Sequence, residues 1–186
     1  MITIVSGLPR SGTSLLMQML DAGGFPVLCD DERRADEDNP RGYFEYAPVR
    51  RLEQDNHWLA DAEGKALKVV SPLLYHLPKE FNYCLIFIQR PLAEVLRSQA
   101  KMLSRTGQNS ASDDPALQLH FERHLLAVDA WVAQQPNITR LTLAHAEVIA
   151  DPRRTAERLS DFLRTDLNLE RMAGIVDPTL YRQRTA

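Results

Sequence analysis

Only two cysteines, Cys29 and Cys84, occur in the 186 residues, and neither has clustered ligands around it, so no zinc framework is encoded. No apolar run is long enough to cross a membrane, and the N-terminal one is too short for a signal peptide. A cytoplasmic protein without a membrane partner is the expectation. Neither sign of charge is in large excess: 22 Lys and Arg stand against 25 Asp and Glu, a net charge of −3. Nothing draws such a chain as a whole to nucleic acid, so any basic site must be local. Linkers, repeats and low-complexity stretches are also missing. One domain over 1–186 is expected, large enough to bury about 70% of its unfolded surface.

The most informative absence lies in the first loop. A β-branched run over 1–6 leads into Gly7-Leu8-Pro9-Arg10-Ser11-Gly12-Thr13-Ser14, and an apolar-periodic stretch through Leu15, Leu16, Met19 and Leu20 follows. Strand, glycine-bracketed loop and amphipathic helix in that order make a phosphate loop. Gly7 and Gly12 have the P-loop spacing, but Thr13 stands where that loop carries its lysine. Gly7 permits a sharp turn, and Gly12 lets the backbone approach a ligand closely. The free N–H groups of the first helical turn and the helix dipole favour an anion there. Arg10 adds a forked cation within the loop, and Ser11, Thr13 and Ser14 add hydroxyls.

Further on, Phe25 to Leu28, Lys65 to Val70, Cys84 to Gln89 and Ile138 to Leu143 read as strands two to five. Helical patterns run from Pro48 toward Gly64, Pro91 to Leu103, Pro115 to Gln134 and Pro152 to Leu163, while Gly23-Gly24 ends the first helix. Strands alternating with helices, without hairpin signals, predict an α/β three-layer P-loop fold: a central parallel sheet of about five strands with helices on both faces. Ligands of such sheets bind at the carboxyl ends of the strands. Cys84 and Arg90 have the spacing of a phosphatase cradle, but continuous strand between them cannot curl around a phosphate.

Arg90 closes strand four, Pro91 suits the first helical position and Ser98 follows two turns later. The rise from Pro91 to Ser98 is roughly 10 Å, so Arg90 and Ser98 can flank one anion. Two phosphate subsites suit a 3′,5′-bisphosphorylated nucleotide better than a triphosphate. A metal-dependent kinase wants the missing lysine and a carboxylate ending a core strand. Strand four ends in Gln89-Arg90 and strand three in Val70-Ser71, leaving only Asp30 and Asp31, after strand two, for Mg²⁺.

Leu8-Pro9-Arg10-Ser11-Gly12-Thr13-Ser14 resembles the 5′-phosphosulfate loop of the sulfotransferase superfamily. Its arginine form is most similar to tyrosylprotein-type and bacterial sulfotransferases. Arg90 and Ser98 resemble the family's 3′-phosphate motif. The resemblance implies 3′-phosphoadenosine 5′-phosphosulfate as co-substrate, no metal, and transfer of a sulfuryl group to a hydroxyl or amine acceptor, a small molecule or a peptide. It assigns Gly7, Pro9, Arg10, Ser11, Gly12, Thr13, Ser14, Arg90 and Ser98 to the donor. Asp177 to Arg182 resembles the family's basic C-terminal return over the 3′-phosphate, which adds Arg182.

For the chemistry, Arg10 and Lys68, near the end of strand three, are placed to stabilise developing charge. The acceptor's proton needs a base within reach. Small-molecule members use a histidine after the third strand, where this chain has Ser71-Pro72, with His76 further on. Members with the arginine-type loop use a glutamate after the second strand, which the resemblance carries to Asp31 and Glu32. Glu45 is an independent candidate, because Tyr43, Phe44 and Tyr46 can dry it and raise its pKa. His57, His120, His124 and His145 read as structural. Acceptor choice falls to residues 30–47 and 104–114, the latter polar and a candidate lid. Two alternatives remain at this level: a Mg-dependent nucleotide or small-molecule kinase with a degenerate P-loop, and a nucleotide-binding protein without catalysis.

Overall fold

Strand β4, Tyr83–Gln89, carries six consecutive buried residues, the pattern of a strand covered on both faces. Its side chains alternate between two cores. Cys84, Ile86 and Ile88 enter one with Leu16, Leu20, Leu159 and Met172. Tyr83, Leu85 and Phe87 enter the other with Leu52, Leu74, Val128 and Val132. The same alternation along β1, Ile2–Ser6, sends Ile2 and Ile4 to one core and Val5 to the other. A computed structural model describes residues 1–30, 32–33, 35–36, 39–105 and 114–181.

The other strands are β2 (Val27–Leu28), β3 (Ala66–Lys68) and β5 (Ile138–Ala144). All pair in parallel in the order β2-β3-β1-β4-β5. The expected α/β architecture, with five parallel strands and helices on both faces, is the one observed. Because β3 and β4 flank β1 on opposite sides, the chain changes direction across the sheet beside β1, and the crevice of such a sheet opens at that switch point.

The α-helices are α1 (Thr13–Ala22), α2 (Leu92–Arg105), α3 (Pro115–Val132), α4 (His145–Ala150), α5 (Pro152–Leu163) and α6 (Leu169–Gly174). Asp151 caps α5 by accepting from Arg154 N at 3.0 Å. α4 and α6 were not among the sequence expectations; at six residues each they are too short to show a period. The expected helix from Pro48 toward Gly64 is instead two 3₁₀ segments, Ala47–Arg51 and His57–Ala62. Asp55 divides them, its carboxylate accepting from His57 N and its carbonyl from Trp58 Nε1. Strand three is likewise shorter than expected, since Pro72 opens a 3₁₀ segment over Ser71–His76. No helix among the described residues is long and apolar enough to cross a membrane.

Candidate functional site

Four strand ends and the chain's last described turn enclose one cavity of about 390 Å³. β1 delivers the glycine-bracketed loop, β3 delivers Lys68, β4 delivers Arg90 and β5 delivers His145. Gly12 opens α1 at φ 110°, where a side chain would be strained, and no side chain among the described residues caps the helix. The first-turn N–H groups therefore face the cup. Space adds a second constraint, because a Cβ on Gly12 would lie 2.6 Å from His145 Cδ2. At Gly7 space is the tighter constraint. Its φ of 158° is one that residues with a Cβ rarely adopt, and a Cβ would lie 2.5 Å from Ser11 Oγ and 2.6 Å from the Ile88 carbonyl. Inside the loop, Ser11 Oγ is buried without a hydrogen-bond partner among the described residues.

Arg10 adopts φ 70°, an uncommon conformation for a residue with a Cβ. Its Nε donates to Ser98 Oγ at 3.1 Å, and its carbonyl accepts from an Arg90 terminal nitrogen at 3.1 Å. Both predicted subsites thus line one cavity. Arg90 and Ser98 do not simply face each other: Arg10 bridges to Ser98, while Arg90 Nε donates to Glu94 at 2.9 Å. Pro9, Gly12, Thr13 and Ser14 also line the cavity, whereas Gly7 and Ser11 do not.

Lys68 is buried. Its ammonium donates to the Tyr43 carbonyl, to Glu45 Oε1 at 3.3 Å and to Ser14 Oγ at 3.4 Å, joining the third strand to the loop helix. Burial lowers its pKa to about 8, with Glu45 opposing that shift. Glu45 also lies 2.9 Å from Arg33 and 3.6 Å from Arg50. The aromatic drying expected around Glu45 is therefore replaced by three cations. Tyr43 instead packs its ring under Arg33, at 3.4 Å, and donates its hydroxyl to both Asp36 oxygens at 2.8 Å. Burial, with Asp36 beside it, raises the pKa of that phenol.

The remaining carboxylates stand elsewhere. Glu32 is exposed and pairs with Arg50 at 3.5 Å. Asp30 accepts from Ala47 N at 2.6 Å and Glu32 N at 3.1 Å, holding the ends of the 30–47 loop. Asp31, Arg182 and the 106–113 part of the candidate lid lie outside the described residues. Ser71 points away from the cavity to His124, at 2.9 Å.

Sequence reading gives no site role to Arg33, Glu94 or His145, whereas Tyr181 falls within the expected C-terminal return over Asp177 to Arg182 and lines the cavity with Asp177 and Leu180. Glu94 sits one turn after Arg90, a spacing open to inspection. His145 follows β5 at the same sheet edge that drew attention to Arg90. It is 6% exposed, with Nδ1 unpartnered among the described residues, and burial together with the Arg90 cation lowers its pKa to about 4.

A glycine-bracketed loop at the switch point of a parallel sheet, with a second arginine one strand over, is the arrangement of an α/β fold of the P-loop kind. Comparison with solved structures narrows the fold. The sulfotransferase domain of the Synechococcus PCC 7002 olefin synthase matches at TM-score 0.59 and 19% identity over 100% of this chain and 88% of its own. The sulfotransferase domain of the curacin biosynthetic pathway matches at 0.52 and 13%, over 99% and 91%. Mouse sulfotransferase SULT7A1, solved with PAP, matches at 0.51 and 15%, over 94% of this chain and 62% of that one. The chain has the sulfotransferase fold. No family model matches it, and no curated protein matches it by sequence.

Proposed function

We propose that this chain is a sulfotransferase that uses 3′-phosphoadenosine 5′-phosphosulfate to modify a hydroxyl or amine acceptor. The observation that carries the reading is the convergence of Arg10, Lys68, Glu45, Arg90 and Ser98 on one cavity, at the open end of the glycine loop. The α1 N-terminus opened by Gly12, with Thr13 and Ser14 on the cavity wall, suits a tetrahedral anion. The fold supports the reading, and the mouse neighbour was solved with PAP.

The donor supplies a sulfuryl group positioned for in-line transfer. Arg10, the α1 amides, Thr13 and Ser14 hold the phosphosulfate end, and Arg90 with Ser98 holds the 3′-phosphate. Lys68, fixed between Ser14 and Glu45, places a desolvated cation where charge grows on the leaving oxygen. Glu45 takes the acceptor proton. Among the described residues it is the candidate carboxylate on the cavity wall, and the cations around it keep its oxygens in place.

Calorimetric titration with adenosine 3′,5′-bisphosphate and with Mg-ATP tests the donor assignment. Micromolar binding of the bisphosphate, weakened at least tenfold in Arg10→Ala and Arg90→Ala, is expected. Preference for Mg-ATP, or indifference to both substitutions, contradicts it.

A further inference from the structure

The Arg90 corner holds a buried carboxylate that the transfer chemistry does not use. Glu94, one turn along α2, is 1% exposed and accepts from Arg90 Nε at 2.9 Å. The same carboxylate receives the Tyr181 hydroxyl, 2.9 and 2.8 Å from its two oxygens. Tyr181 follows the 3₁₀ turn Pro178–Leu180, at the far end of the described chain. Its ring centroid lies 5.1 Å from the Arg90 guanidinium carbon, and its ring packs edge-on with His145 at 4.8 Å. A second tie holds the same segment, since Arg41 donates to the Ile175 carbonyl.

Stability alone is a poor account of this cluster. Burying an arginine and a glutamate costs desolvation that offsets most of their attraction, so apolar pairs often serve as well. A carboxylate gripped from two sides by a guanidinium and a phenol does fix where both donors point. We propose that Glu94 is a positioning residue for 3′-phosphate recognition. It aims Arg90 into the cavity and, through Tyr181, docks residues 175–181 beside the same corner. Anion binding at Arg90 and docking of the C-terminal turn are then coupled, and the coupling is reciprocal. The inference rests on the donor reading above.

A Glu94 that only balanced charge would make the opposite prediction. Its removal would leave the Arg90 cation uncompensated and tighten anion binding. The test is calorimetry of adenosine 3′,5′-bisphosphate and adenosine 5′-phosphate on wild type, Glu94→Gln and Tyr181→Phe, with amide hydrogen exchange over residues 175–181. Tyr181→Phe keeps the ring contacts, so it stands in if Glu94→Gln fails to fold. Each variant is expected to lose about tenfold on the bisphosphate, the scale of one hydrogen bond to a charged group. Affinity for the monophosphate should not change. Bisphosphate should slow exchange over 175–181 in wild type and not in Tyr181→Phe. Tighter bisphosphate binding by Glu94→Gln, or equal losses for both nucleotides, overturns the proposal. A wild type with no preference for the bisphosphate contradicts the donor reading and this inference with it. A wild-type preference kept by both variants contradicts this inference alone.

Discussion

Lys68 shows how one residue's surroundings set a measurable property. Burial lowers its pKa to about 8, so its charge is present at neutral pH and lost as pH rises through that value. Transfer that depends on the charged form should fall above pH 8. Glu45 opposes the shift, so Glu45→Gln should move the descending limb of the kcat profile to lower pH as well as lowering kcat. A pH–rate profile on both proteins checks this, and an unmoved limb would separate Lys68 from the chemistry. Gly12 makes a second residue-scale case. Gly12→Ala combines a strained φ of 110° with a 2.6 Å approach to the His145 ring. It should cost about 1–3 kcal/mol in chemical denaturation. Part of that cost should return in the double variant with His145→Ala, which removes the obstructing ring.

Among the elements, strands and long helices were the legible part of the sequence. β4 could be read because both its faces are buried, and α5 because Pro152 and a helical pattern through Leu163 mark it. The stretch after Pro48 misled because its apolar residues fit a helical period, whereas Asp55 draws the backbone into two short turns. Site residues on short elements escaped for the same reason. α4 gives no period, yet it carries His145, whose pKa of about 4 makes a stability prediction. An unfolded histidine titrates near 6.5, so between those values the unfolded chain binds the extra proton. Stability should be complete above about pH 6.5 and fall toward pH 4, by about 3 kcal/mol from this group. In His145→Gln this share of the acid-side loss should vanish, as urea unfolding at pH 4.5 and 7 would show.

For the whole molecule, sheet order does what no single motif does. Placing β1 between β3 and β4 brings the glycine loop, Lys68 and Arg90 to one edge, although 80 residues separate Arg10 from Arg90. The strand ends were readable from the alternating pattern, and with them the glycine-bracketed loop at their edge. Tertiary partners were not: Arg33 over Tyr43 within one irregular loop, and Tyr181 on Glu94 across 87 residues, leave no local period. A ligand that bridges the cup and the Arg90 corner should stabilise the domain as a unit. At 100 times its Kd, adenosine 3′,5′-bisphosphate should add about 2.7 kcal/mol, seen as a raised melting temperature that Arg90→Ala loses.

The most direct measurement is formation of adenosine 3′,5′-bisphosphate from 3′-phosphoadenosine 5′-phosphosulfate, followed chromatographically against a panel of phenols, alcohols, amines and tyrosine peptides. Wild type and Lys68→Ala would be compared side by side. Acceptor-dependent release by the wild type, at least a hundredfold slower in Lys68→Ala, is the predicted result. Release that no acceptor accelerates, or that Lys68→Ala leaves unchanged, would contradict sulfuryl transfer at this site.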